Sequence, residues 1–235
     1  MVGSHLATRL SPYHRYGAYA GVVAVAKRLS HPWLQWGEIV VVEMPLRKRP
    51  EASENELIVR IAERADLQEL ATVFDRPLPE LRARVDRGDR CYVGYRRDEP
   101  MHMRWITQRA TEVPELGLWL WPEPGTIYIY DAVTHPGARG AGFSGQVGAA
   151  MDDALAGRDL HAKVCYVRSD NHAMWHALRR VPGPLLIRSR LAYFRRPGRA
   201  PRLFGSPQWP LSTDAPSDVA VPPAPSALPS TSATM

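Results

Sequence analysis

The stretch that decides the fold is Asp131 to Met151, DAVTHPGARGAGFSGQVGAAM. An apolar run, TIYIYDAV, leads into it, and a helix-forming run, GQVGAAMDDAL, leads out. The glycine-rich turn between them has two readings. From Gly140, the residues Gly140-Ala141-Gly142-Phe143-Ser144-Gly145 fit G-x-G-x-x-G, the dinucleotide loop. From Arg139, an arginine and a run of backbone amides open a helix towards a pyrophosphate. Both readings put an anion at a helix N-terminus, where free N–H groups and the helix dipole favour negative charge. The first implies an oxidoreductase and the second a transferase.

The elements around the loop separate the two. A dinucleotide fold places its first glycine directly after the first strand and continues in parallel strand–helix units. Here THPGAR intervenes before Gly140, and about 130 residues precede the motif. Those residues read as helices and antiparallel strands. LIVRIAE is a strand, ADLQELATVF and PLPELRARVDRG are helices, and RCYVGYRR with MHMRWITQ forms a hairpin. After the loop helix come a strand (AKVCYVR), a helix (SDNHAMWHALRR) and a last strand (LLIRSRLAYFRR). The order is β-α-α-β-β-β-α-β-α-β, which disfavours the nicotinamide reading.

With its motif and element order, the chain resembles the GCN5-related N-acetyltransferase (GNAT) superfamily over roughly residues 57 to 196. The family signature is Gln or Arg, two residues, Gly, one residue, then Gly or Ala. Arg139, Gly140, Ala141, Gly142 and Phe143 meet it, and Ser144 departs at the last place. The resemblance implies an α/β (α+β) fold with a mixed, mostly antiparallel central sheet flanked by helices and a strand splay at the acyl-CoA site. It implies an N-acetyltransferase, moving an acetyl or other acyl group from acetyl-CoA to an amine by direct attack, with no metal. Arg139 and the amides from Gly140 to Ser144 would hold the pyrophosphate. The backbone of Ala132 and Val133 would hold the pantetheine arm. Asn171 either contacts that arm or caps the next helix.

For catalysis, Asp131 is the acid nearest the expected cleft, and burial in an apolar strand would raise its pKa. A structural Asp bonded to backbone is the competing reading, and Glu123 in WPEPG is a weaker candidate. The family's usual acid, a tyrosine on the last helix, is replaced by Leu178, beside Trp175 and His176. That leaves Tyr130, Tyr193 or water. The departure keeps alternatives open: a catalytically silent acyl-CoA-binding sensor or scaffold, or an acyl-carrier-protein-dependent enzyme whose acidic partner suits an Arg-rich surface. Trp119 and Trp121 lie on one side of a strand and are candidates for an acceptor pocket.

Composition narrows the partners. Thirty Lys and Arg against 24 Asp and Glu leave a net charge of +6, spread along the chain. Without a zinc, helix-turn-helix or aromatic RNA-binding signature, that surplus does not point to nucleic acid. Cys91 and Cys165 sit in apolar runs and read as buried thiols. His172 and His176 share a helical spacing but lack the further ligands of a metal site. Gly17 to Ala26 is too short to span a bilayer. It reads as a docked helix, a membrane-surface helix or a signal-peptide core, and the cosubstrate implies the cytoplasm. The expected division is an N-terminal helical and strand extension, 1–56, the acyltransferase domain, 57–200, and a disordered Pro/Ser/Ala-rich tail, 201–235.

Overall fold

The computed structural model describes residues 33–46, 57–205 and 210–213. Eleven strands are described, β1 (Gln35–Pro45), β2 (Ile58–Ile61), β3 (Arg90–Arg96), β4 (Glu99–Thr107), β5 (Thr111–Val113), β6 (Leu118–Leu120), β7 (Thr126–Thr134), β8 (Ala162–Arg168), β9 (Leu186–Arg195), β10 (Arg202–Phe204) and β11 (Leu211–Ser212). The helices are α1 (Leu67–Val73), α2 (Leu78–Asp86), α3 (Phe143–Leu155) and α4 (His172–Leu178). Eight strands make one sheet in the order β10-β9-β1-β8-β7-β4-β3-β2, and β11-β6-β5 make a second. Every pairing in the large sheet is antiparallel except β7 with β8. The fold is therefore a mixed α/β one with a largely antiparallel central sheet flanked by helices.

Alternation along the strands assigns the faces. In β4, Trp105 and Met103 pack against α1 and α2, while Ile106 points to the opposite face. In β7, Ile127 and Ile129 join Val147 and Met151 of α3 in one cluster. Tyr128 joins Leu118, Leu120 and Leu211 of the small sheet in another. A period of two on strands and an apolar stripe on each helix suffice to bury both faces. Gly94 of β3 lets α3 approach, since a Cβ there would lie 2.6 Å from a Val147 methyl.

The strand 35–45 lies inside the large sheet, hydrogen-bonded to β8 on one side and β9 on the other. Residues 1–56, expected to be an extension, thus include a strand of the sheet itself, fully buried from Ile39 to Val42. In the expected tail, Arg202–Phe204 pairs with β9 and Leu211–Ser212 with β6. The apolar run 17–26 lies outside the described residues, as does most of the tail. Among the described residues, no helix is long and apolar enough to cross a membrane.

Candidate active site

β7 and β8 pair over three residues only, Thr126 to Tyr128 with Ala162 to Val164. Beyond that point the two parallel strands part. Two features of β7 accompany the parting. Its partner β4 slips register between Met103 and Trp105, which face Val133 and Tyr130. The one extra residue on β7 makes a bulge, and Asp131 there has φ of 43°, a sign that non-glycine residues seldom adopt.

The chain then turns through His135 to Gly142 into α3, a 13-residue helix. Gly140 and Gly142 have φ of 87° and 80°, and a Cβ on either would meet no atom within 4 Å. Glycine is needed there for backbone sign, and the space above the loop is open. Intrahelical bonding begins with Gly145 and Gln146, which donate to the Gly142 carbonyl. The preceding amides, of Phe143 and Ser144, belong to the first turn, whose N–H groups have no intrahelical acceptor. Arg139, Gly140, Ala141 and Gly142 are exposed, and Phe143 is buried against the sheet. Local geometry here is what an anion needs: amides, a helix dipole and a nearby guanidinium.

A pocket of about 70 Å³ lies over the gap, between α3 and α4. Ser144, Gly145 and Gly148 line it from α3, Ile129 and Ala132 from β7, and Lys163 and Cys165 from β8. Leu178 closes it from α4. Ala132 is exposed and Val133 half-buried, at the bulge beside the gap. The structure thus brings the first turn of α3, with Ser144, together with Ala132 and β8. Asn171 caps α4, its side chain accepting from the Met174 amide at 3.1 Å.

Asp131 does not fit the expected base. Its carboxylate is bound by Arg76 at 2.8 Å and by Arg84 at 2.6 Å. Burial alone would raise its pKa, but the two guanidiniums outweigh it and hold the carboxyl below the usual range. Arg84 in turn lies over the rings of Trp105 and Tyr130. Asp131 is a fixed anion that anchors the bulge to α2. A carbon-13 titration of its carboxyl should find it ionised down to below about pH 3.9. A midpoint near neutrality would restore it as a base.

Tyr130 is also placed differently from the expectation. It faces away from the pocket, stacked on Tyr128 at 5.3 Å, and its hydroxyl donates to Asp89. Burial, reinforced by the Asp89 carboxylate, raises its pKa far above the ordinary range, so it stays a neutral phenol with a committed proton. Tyr193 lies in the cluster under the small sheet. Glu123 is exposed, its carbonyl accepting from Thr126 as part of a turn. Trp119 and Trp121 sit on and just after β6, and neither lines the pocket.

The sequence reading missed two residues. Arg104 of β4 is buried under the start of α3, donating to the Ser144 carbonyl at 2.5 Å and its hydroxyl at 2.9 Å. Lys163 of β8 is buried with its ammonium on the carboxylate of Asp152. Both line the pocket. A signal existed: His102 and Arg104 alternate with apolar residues on an inward-facing strand, where a charge needs a partner.

No family model matches the chain, and neither does any curated protein. Solved structures do. A functionally unknown conserved protein from Staphylococcus epidermidis aligns at 12% identity over 73% of this chain and 65% of its own, with a TM-score of 0.47. A GNAT-family acetyltransferase from Colwellia psychrerythraea aligns at 11% identity over 69% and 56%, with a TM-score of 0.47. Ribosomal-protein-alanine N-acetyltransferase from Brucella melitensis aligns at 14% identity over 55% and 93%, with a TM-score of 0.40. The chain spans less than two thirds of the first two.

Proposed function

We propose that the chain is an acyl-CoA-dependent N-acyltransferase. The observation that carries this reading is the parting of β7 and β8 beside the glycine loop of α3. An extended pantetheine arm needs strand-edge amides and carbonyls, and a gap in a sheet offers them. In this reading Arg139 and the amides of Gly140 to Ser144 hold the pyrophosphate, and the backbone of Ala132 and Val133 pairs with the arm.

The acceptor nitrogen then attacks the thioester carbonyl. A C–N bond forms, the carbonyl oxygen carries negative charge, and the C–S bond breaks with its electron pair on sulfur. The proton lost by the amine passes to that thiolate through water, because Asp131 and Tyr130 are committed elsewhere. A covalent route through Cys165 is disfavoured: burial pushes its thiol up to about 12, so it is protonated at neutral pH.

Titration calorimetry with acetyl-CoA, and separately with NADH, tests this directly. Acetyl-CoA is expected to bind, and Arg139→Glu to weaken it at least tenfold by setting a carboxylate against the phosphates. NADH binding without acetyl-CoA binding would overturn the reading. The engagement of Asp131 and Tyr130, with Leu178 at the acid position, also favours a second reading, a silent acyl-CoA-binding domain. Acyl transfer to any amine would rule that out.

A further inference from the structure

We propose that Asp131 is a positioning residue for the pantetheine arm, fixing the register in which the end of β7 meets the pocket; this rests on the acyl-CoA reading. Side chains on a strand alternate between faces, and one extra residue reverses the alternation beyond it. Before the bulge, Ile129 lines the pocket and Tyr130 faces Trp105 on the other side of the sheet. Beyond it, Ala132 lines the pocket and Val133 faces Met103, in the cluster under α1 and α2. Two residues of β7, Asp131 and Ala132, thus stand opposite one residue of β4. Unbroken alternation from Ile129 would instead turn Asp131 and Val133 to the pocket and Ala132 away from it. A carboxylate and an isopropyl group would then stand where a single methyl group lies now, beside the gap that takes the arm.

What holds the bulge lies on the opposite face. A non-glycine residue at positive φ persists only where its surroundings over-determine it, and Asp131 is at 43°. Arg76, just after α1, gives the carboxylate two donors, Nε at 3.1 Å and Nη2 at 2.8 Å. Arg84 of α2 gives a third at 2.6 Å. Both guanidiniums are themselves held in place. Arg76 also donates to the carbonyls of Phe74 and Asp75, and Arg84 to the carboxylate of Glu80. Charge-assisted bonds from two directions fix where the carboxylate points as well as where it sits. They keep the Asp131 side chain, 14% exposed, on the helix face and so set the register of everything after it.

The test compares coenzyme A with adenosine 3′-phosphate 5′-diphosphate, which is coenzyme A without its pantetheine arm. Both are titrated into the wild type and the variants, and the ratio of the two affinities reports the arm alone. Asp131→Ala is expected to cut that ratio by about tenfold, leaving the affinity for the arm-free ligand nearly unchanged. Asp131→Asn is expected to keep more of it, since Asn takes positive φ readily and still accepts a hydrogen bond. Arg76→Gln removes two of the three donors from a side chain 31% exposed and is expected to lower the ratio in the same direction. That variant decides the question if Asp131→Ala does not fold. An unchanged ratio in the folded variant, or equal losses for the two ligands, would overturn the proposal. A wild type that binds the two ligands equally would overturn it as well, while leaving the phosphate loop intact. A wild type that binds neither would overturn the acyl-CoA reading, and this proposal with it.

Discussion

Lys163→Met is expected to destabilise the chain by about 3–5 kcal/mol, because it strands a buried carboxylate. Both side chains of the pair, Lys163 and Asp152, are 5% exposed. The ammonium reaches both carboxylate oxygens, one at 2.6 Å. With methionine there, Asp152 would have to stay charged without its cation or take up a proton, and either is unfavourable in this site. The double change Lys163→Met with Asp152→Leu removes both charges together. It is expected to recover most of the loss, since replacing a whole buried pair by apolar residues is often neutral or stabilising by about 1–4 kcal/mol. Urea unfolding of the wild type, the two single variants and the double variant gives the coupling directly. Additive single-variant costs would show that the pair does not act as a unit. The pair also ties α3 to β8.

How much of this was legible follows from how far each feature reaches along the chain. The glycine loop was legible because its cause is local: two positive φ angles, at Gly140 and Gly142, require glycine and so mark the sequence. The strand and helix order was legible for the same reason, since periods of two and 3.6 are short-range. The place of β1 was not. Its run of valines says that it is buried, but its neighbours β8 and β9 lie more than 100 residues on, and nothing in EIVVVEMPL names them. Asp131 shows the same limit in chemistry. An acid in an apolar strand is legible, but the sign of its pKa shift depends on Arg76 and Arg84, 55 and 47 residues away. Desolvation alone argued for a base, and the two guanidiniums reverse that. A strand at Trp119 was legible, but its pairing with β11 was not, because β11 is only two residues long and carries no periodic signal.

Folding stability is expected to fall steeply as pH drops below about 6.5, and His102 is expected to cause most of it. The ring is 1% exposed on β4, with Nδ1 2.8 Å from the Thr134 hydroxyl. Arg104 donates to Nε2, so Nδ1 carries the ring proton and donates to Thr134. A second proton would place a buried cation beside the guanidinium. Burial first, and then Arg104, lowers the His102 pKa to about 2. The unfolded chain titrates near 6.5, so between those values it binds a proton that the folded chain refuses. Stability from this group is therefore complete above about pH 6.5 and declines by about 1.4 kcal/mol per pH unit below it. Roughly 3 kcal/mol would be lost by pH 4. Asp131 works in the same direction but only below about pH 3.9, so above pH 4 the slope reports His102 without it. Urea midpoints at pH 7, 5.5 and 4 are the measurement, on the wild type and on His102→Gln, which keeps polar atoms but cannot charge. The wild type should lose stability across the series and the variant should stay nearly level down to pH 4. Equal slopes in the two proteins would place the acid sensitivity elsewhere.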